Sequence, residues 1–291
     1  RNRHIDTFSG LLVNSRTNLF LSRMESQMAG GNPSSSNTPE SVPFIDLKAQ
    51  FQTIRLEINA AVAQVFENQA FVLGDEVAEL EFEIAEYCDS RDAIGCASGS
   101  DALLLSLIGM EIGPGDEVIT TGFTFISTVE VVALLGAKPV LVDIDPDSFN
   151  IDAGQVEQVI TERTKAIVPV HLFGQMANMT ALAAISKKHN IPIIEDNAQA
   201  IGAQWTDNAG KMHQSGTIGL LGTTSFFPSK NLGCMGDGGA VVTQDEQMAA
   251  ACRQIANHGM SKQYHHDVVG INSRLDGLQA AILRVKLQHL P

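Results

Sequence analysis

The chain has 291 residues, 44% of them hydrophobic and 18% charged, which is enough apolar material for a full globular core. Its formal net charge of −14 argues against nucleic acid as a main partner, because a phosphate-binding surface is basic. No apolar run is long enough to span a bilayer, and the cysteines Cys88, Cys96, Cys234 and Cys252 show neither CxxC spacing nor a zinc pattern with histidine, so they read as reduced thiols of a soluble, cytoplasmic protein without a membrane partner.

Residues 1–42 carry Ser, Asn, Gly and Pro without periodicity, as in GGNPSSSNTPE, and this composition predicts a disordered tail. Its first 23 residues hold four arginines and one acid, a balance shared with organellar transit peptides. The chain opens on Arg, however, and Met24 and Met28 stand just ahead of the patterned region, which reads as translated upstream sequence or an added remnant.

From Phe44 onward helical and strand periods alternate. IRLEINAAVAQVF and EVAELEFEIAEY return apolar residues at three and four and predict amphipathic helices. AIGC, EVITT, PVLVDI, AIVPV, IPIIE, TTSFF and GAVVT follow as short strands, most separated by helical segments such as ALLLSLIGM and STVEVVALLG. That alternation predicts an α/β fold with a mostly parallel central sheet and helices on both faces. A Rossmann-like fold fits the same order, but no GxGxxG follows the first strand.

Two segments carry candidate chemistry. In TSFFPSKNLGCMGDGGAVV, Lys230 sits between an apolar strand and a glycine-rich turn; a desolvated lysine there is a candidate Schiff-base former, although an isolated loop lysine is usually just solvated. In IPIIEDNAQA an apolar strand ends in Glu195 and Asp196, and the carboxyl ends of strands are where open α/β sheets keep their ligand chemistry. Lysine and aspartate together are what pyridoxal phosphate requires, one for its aldehyde and one for its ring nitrogen. Ser98-Gly99-Ser100-Asp101, between AIGC and ALLLSLIGM, is either an ordinary N-cap or an anion site at a helix N-terminus.

The segments SGSDALLLSLIGMEIGPGDEVITTGFTFIST, GAKPVLVDIDPDSFNID, PVHLFGQ, EDNAQA, SFFPSKNLG and GINSRLDGLQAAIL occur in one order that resembles the DegT/DnrJ/EryC1/StrS family of nucleotide-sugar aminotransferases, from about Pro43 to Pro291. The resemblance implies the PLP-dependent transferase fold type I, with a large PLP-binding domain over 43–265 and the start of a truncated C-terminal domain over 266–291. It implies that Lys230 is catalytic, that Asp196 pairs with the ring nitrogen, Gln199 with the phenolic oxygen, and that Phe125 stacks on the ring. Ser100, the Asp101 backbone and Ser225 would hold the phosphate, and Asn272 would reach the phosphate of a neighbouring subunit's cofactor, giving a homodimer with shared sites. No metal is implied. His171, Tyr264, His265, His266 and Arg274 have no settled role: His171 is either substrate-facing or structural, and Arg274 either orients its loop or meets a substrate anion.

The form SFFPSKNLGCMGDGGA, with YHH ahead of GINSRLD, is most similar to the branch that aminates the 3-keto group of UDP-2-acetamido-2-deoxy-glucuronate for surface polysaccharides, with glutamate as the implied donor. Family members acting at C4 or on dTDP-sugars share nearly all these motifs. A sugar 3-dehydratase of the family would carry histidine in place of Lys230, another PLP enzyme would lack GINSRLDGLQAAIL, and a non-enzymatic regulatory protein on this fold would not need Lys230, Asp196 and Gln199 together.

Overall fold

The computed structural model describes residues 44–291, and Ile45–Pro291 form one compact unit. The tail over 1–42 lies outside the described residues. Helix α1 (Leu47–Asn68) starts where Asp46 accepts the Ala49 N–H at 2.9 Å and stops at Gln69, whose left-handed backbone ends the hydrogen-bond series. It is followed by α2 (Asp75–Tyr87), β1 (Asp92–Cys96), α3 (Gly99–Gly109), β2 (Glu117–Thr121), α4 (Ser127–Leu134), β3 (Lys138–Val142) and the single turn α5 (Ala153–Val156). Next come β4 (Thr164–Ile167), α6 (Met179–His189), β5 (Ile194–Asp196), the hairpin β6 (Gln204–Thr206) and β7 (Met212–Gln214), and β8 (Leu221–Ser225). The chain continues through β9 (Gly239–Thr243), α7 (Glu246–Ala256), the hairpin β10 (Met260–Lys262) and β11 (His265–His266), and α8 (Gly277–Leu287).

Seven strands line up as β3-β2-β4-β5-β8-β9-β1. Strands β3, β2 and β4 pair in parallel, and parallel bridges Ile167 to Ile193 and Val170 to Asp196 carry the ladder onto β5 and β8. Only β9 runs against its neighbours, pairing antiparallel with both β8 and β1. The mostly parallel sheet read from the sequence is therefore present, with one reversed strand.

Side-chain alternation along the strands divides the core between two faces. Ile94, Val118, Ile194, Leu221 and Val241 pack with α3, α4 and α7 on one side. Their neighbours in sequence turn the other way: Ala93, Ala240 and Val242 meet α2 and α8, while Ile119, Ile167 and Ile193 meet α6. Helix α3 is apolar almost all round, as a helix covered by both sheet and other helices must be. Strand β8 ends at Ser225, earlier than the TTSFF pattern predicts. Phe226 is fully buried among Leu232, Cys234 and Leu275; its N–H still reaches Gly238 O at 2.8 Å in the β8–β9 register, but its carbonyl accepts from Cys234 N at 2.8 Å, so the ladder ends there and the chain turns toward Lys230.

Candidate active site

The ends of β1, β2, β5 and β8 open at the same edge of the sheet, and a cavity of about 370 Å³ lies between them. The segments after these strands deliver Ser100, Phe125, Asp196, Gln199, Ser225 and Lys230 to its walls, six positions singled out from the sequence. Lys230 is half-buried, its N–H donating to Phe227 O at 2.8 Å, and burial lowers its ammonium below the ordinary lysine range while Asp196 opposes that shift. Asp196 is 5% exposed, and burial raises its carboxyl; Thr128 counters this most, followed by the Ala198 N–H, His171 and Lys230. An amine made easier to deprotonate thus shares a cavity with a carboxylate that only a cation or a hydrogen-bond donor fully satisfies.

The adjoining Glu195 points away from this cavity, as strand alternation requires. Its Oε2 accepts from His171 Nε2 at 2.8 Å and Gly216 N at 2.9 Å, and its Oε1 from Ile218 N at 2.7 Å and Gly219 N at 2.6 Å. His171 is itself fully buried and accepts the Ala177 N–H on Nδ1 at 3.2 Å, so both ring nitrogens are used and the structural alternative for this histidine holds.

Gln199 has a fixed orientation. Its Oε1 accepts the Phe173 N–H at 2.8 Å, where Phe173 takes a left-handed backbone, and this leaves the Gln199 NH₂ for a ligand in the cavity. Phe125 is 69% exposed and supplies an aromatic wall. The cup for an anion forms where α3 begins. The first N–H groups of a helix lack intrahelical partners; Ser98 Oγ caps Asp101 N at 3.1 Å, so that N–H is engaged in the structure, and the side chain of Asp101 accepts from Ser273 Oγ at 2.7 Å. A Cβ on Gly99 would stand 2.6 Å from Ser225 Cβ, and one on Gly239 would strike the Ser98 backbone, so both positions need glycine for this close passage.

Two residues escaped sequence reading. Ser127, at the start of α4, pairs its hydroxyl with Ser100 Oγ at 2.6 Å, and Thr128 donates to Asp196 Oδ2 at 2.7 Å. Their signal was the one that marks Ser98 to Asp101, namely hydroxyl residues opening a helix just after a strand's carboxyl end. Asn272 is exposed and is not brought to the cavity wall of its own chain. It bridges to Asn257, and the neighbouring Ser273 ties this segment to α3 through Asp101 and Ala97 N. Arg274 Nη1 donates to Asn257 Oδ1 at 3.2 Å, which fits the loop-orienting alternative. Tyr264, His265 and His266 lie exposed on the β10–β11 hairpin, away from this cavity wall. Among the described residues no cluster of potential metal ligands occurs, and no helix is long and apolar enough to cross a membrane.

The donor set fits pyridoxal 5′-phosphate: a depressed lysine amine, a buried acceptor for a protonated ring nitrogen, an amide with its NH₂ free, an aromatic wall and a hydroxyl-lined helix terminus. Such a site on a mostly parallel sheet fits the fold of the pyridoxal-phosphate-dependent transferases. Residues 52–291 match the model of the DegT/DnrJ/EryC1/StrS aminotransferase family, and the chain belongs to that family. It is 52% identical over 249 residues to a protein of Geobacillus stearothermophilus named pleiotropic regulatory protein, covering 86% of this chain and 66% of that one. It is 51% identical over 247 residues to the UDP-2-acetamido-2-deoxy-3-oxo-D-glucuronate aminotransferase of Pseudomonas aeruginosa, covering 85% of this chain and 67% of the relative. The crystal structure of DesV from S. venezuelae superposes with a TM-score of 0.83 at 46% identity, covering 87% of this chain and 67% of that chain. The chain thus spans about two thirds of the length of the relatives it matches.

Proposed function

We propose that this chain is the cofactor-binding part of a nucleotide-sugar aminotransferase. The observation that carries the proposal is the shared cavity of Lys230, with its ammonium depressed by burial, and Asp196, with its carboxylate pinned at the end of β5. When bound, pyridoxal phosphate supplies an electrophilic carbonyl and an electron-withdrawing ring. Lys230 would hold the carbonyl end of the group through its Nζ, and its neutral amine would accept and return the proton of the donor carbon. Asp196 would keep the ring nitrogen protonated, the Gln199 NH₂ would be free to donate to the phenolic oxygen, and Phe125 would limit ring tilt. Ser100, Ser225 and the N-terminal turn of α3 would hold the phosphate, and the Asp101 N–H would join them on giving up its bond to Ser98.

The amine acceptor is proposed to be a keto-sugar nucleotide, with the 3-keto group of a UDP-2-acetamido-2-deoxy-glucuronate as first choice and glutamate as the donor. Motif form supports this choice, as does the name of the Pseudomonas aeruginosa relative. A C4-keto or dTDP-linked sugar is the alternative. Asn272, exposed on a segment braced by Ser273, is proposed to complete the phosphate site of a second copy.

The test is reconstitution of the full protein with pyridoxal phosphate. A visible absorbance band is expected, and borohydride reduction should fix the cofactor's mass on the peptide holding Lys230. Turnover of UDP- and dTDP-linked 3-keto and 4-keto sugars with glutamate then ranks the substrates. Label on another lysine overturns the role of Lys230, and cofactor binding without turnover of any keto sugar favours a regulatory protein.

A further inference from the structure

A carboxylate facing an open cavity can rotate, and one that serves a fixed ligand atom must be prevented from doing so. Asp196 is held at both oxygens: Oδ2 accepts from Thr128 Oγ1 at 2.7 Å and Oδ1 from Ala198 N at 3.2 Å. The first contact is the shorter, and Thr128 is itself 1% exposed on the first turn of α4, which gives its hydroxyl little freedom. Thr128 also lies 3.2 Å from Thr124 Oγ1, a pair in which either atom could donate. The chemistry of hydroxyls decides the direction. An ionised carboxylate only accepts, so the single proton of Thr128 goes to Asp196, and Thr124 must then donate to Thr128. Thr124 lines the cavity, and its lone pairs remain for a donor entering there.

We propose that Thr128 is a positioning residue that fixes the plane of the Asp196 carboxylate toward the cavity, and that Thr124 backs it as the first member of a one-way hydroxyl relay. What Asp196 acts upon rests on the pyridoxal phosphate proposal above; how Thr128 orients it does not. Burial raises the Asp196 carboxyl, and among the influences that oppose this Thr128 is the largest, ahead of Ala198 N, His171 on the loop after β4, and Lys230. Glu195 neighbours it in sequence but turns into the 216–219 loop, and Asp237 also lines the cavity.

The experiment uses the full protein in two states. In the cofactor-free state, with aspartate labelled at the carboxyl carbon and the Asp196 signal assigned by its loss in Asp196→Asn, Thr128→Val should move the Asp196 midpoint upward by about one pH unit, the shift that a lost charge-assisted hydrogen bond produces. Thr128→Ser, which keeps the hydroxyl, should restore it. With pyridoxal phosphate bound, the pH midpoint of the visible band should also rise in Thr128→Val, because a less well satisfied carboxylate draws the ring proton toward itself. Turnover should fall by about tenfold, the factor that corresponds to one such unit, while KM for the amino donor stays within about twofold. If Thr128→Val does not fold, Thr124→Val replaces it and should give a smaller shift in the same direction. An Asp196 midpoint that stays put in the valine variant, or one that Thr128→Ser fails to restore, overturns the proposal. A midpoint that moves as described in a parent protein that forms no visible band leaves the Thr128 contact standing and removes the cofactor proposal instead.

Discussion

Replacing Glu195 with glutamine keeps the side chain's shape and changes one oxygen into an NH₂. Four donors converge on that carboxylate, two at each oxygen. Whichever way the new amide turns, two donors lose their acceptor: His171 Nε2 with Gly216 N, or Ile218 N with Gly219 N. Each buried donor left without a partner costs about 1–3 kcal/mol, so Glu195→Gln should destabilise the fold by about 2–6 kcal/mol. On a domain of this size that corresponds to a fall in Tm of roughly 4–24 °C. The assay is equilibrium urea unfolding of the cofactor-free protein, followed by the fluorescence of Trp205 and by circular dichroism, with the slope of the transition unchanged. Because the variant touches nothing that lines the cavity, the loss belongs to folding. A change of less than about 0.5 kcal/mol would refute the claim that this carboxylate holds the 216–219 loop to β5.

Three further outcomes are expected. Asp196→Asn should retain substantial pyridoxal phosphate affinity through Ser100, Ser225 and the α3 terminus while turnover falls by about a hundredfold or more in steady-state assays; parent-like turnover would remove the ring-nitrogen role. Mixing Asn272→Ala with Lys230→Ala chains should recover part of the activity if Asn272 serves a second copy's site, since mixed dimers contain one site with both lesions and one with neither; verified mixed dimers without recovery would place Asn272 elsewhere. Glu117, bound by Thr161, Lys138 and Arg163, is held down to about 2 from 4.5, so its contribution to stability is present above pH 4.5 and is lost as pH falls toward 2; Glu117→Gln should flatten that part of an acid-unfolding curve followed by circular dichroism.

Local pattern made much of this protein legible. Strands such as EVITT and GAVVT coincide with β2 and β9 because an apolar β-branched run between turn residues has few other uses, and Lys230 and Asp196 stood out as charged residues beside such runs. What stayed hidden depends on contacts between distant segments. Thr128 meets Asp196 across 68 positions and Ser273 meets Asp101 across 172, and no periodicity records such a meeting. Within STVEVVALLG the helical spacing was visible, but nothing in it marked the hydroxyls at its start until β5 was brought beside them. The end of β8 was misjudged for a related reason: Phe226 has strand propensity, but its carbonyl is taken by the N–H of Cys234 from the following turn, which ends the ladder.

The contact between Gly99 and Ser225 joins segments that follow two strands separated in the sheet by β9, one after β1 and one after β8. Because a methyl group there would already collide, the two walls of the anion cup leave no slack for a ligand to draw together. A phosphate entering the cup therefore meets walls already in place, and only local bonds such as that of Asp101 N to Ser98 Oγ have to give way, so its binding energy is not diverted into ordering loops. Gly99→Ala should wedge those walls apart and weaken the binding of a free phosphate ester while leaving the Phe125 and Gln199 walls of the cavity in place.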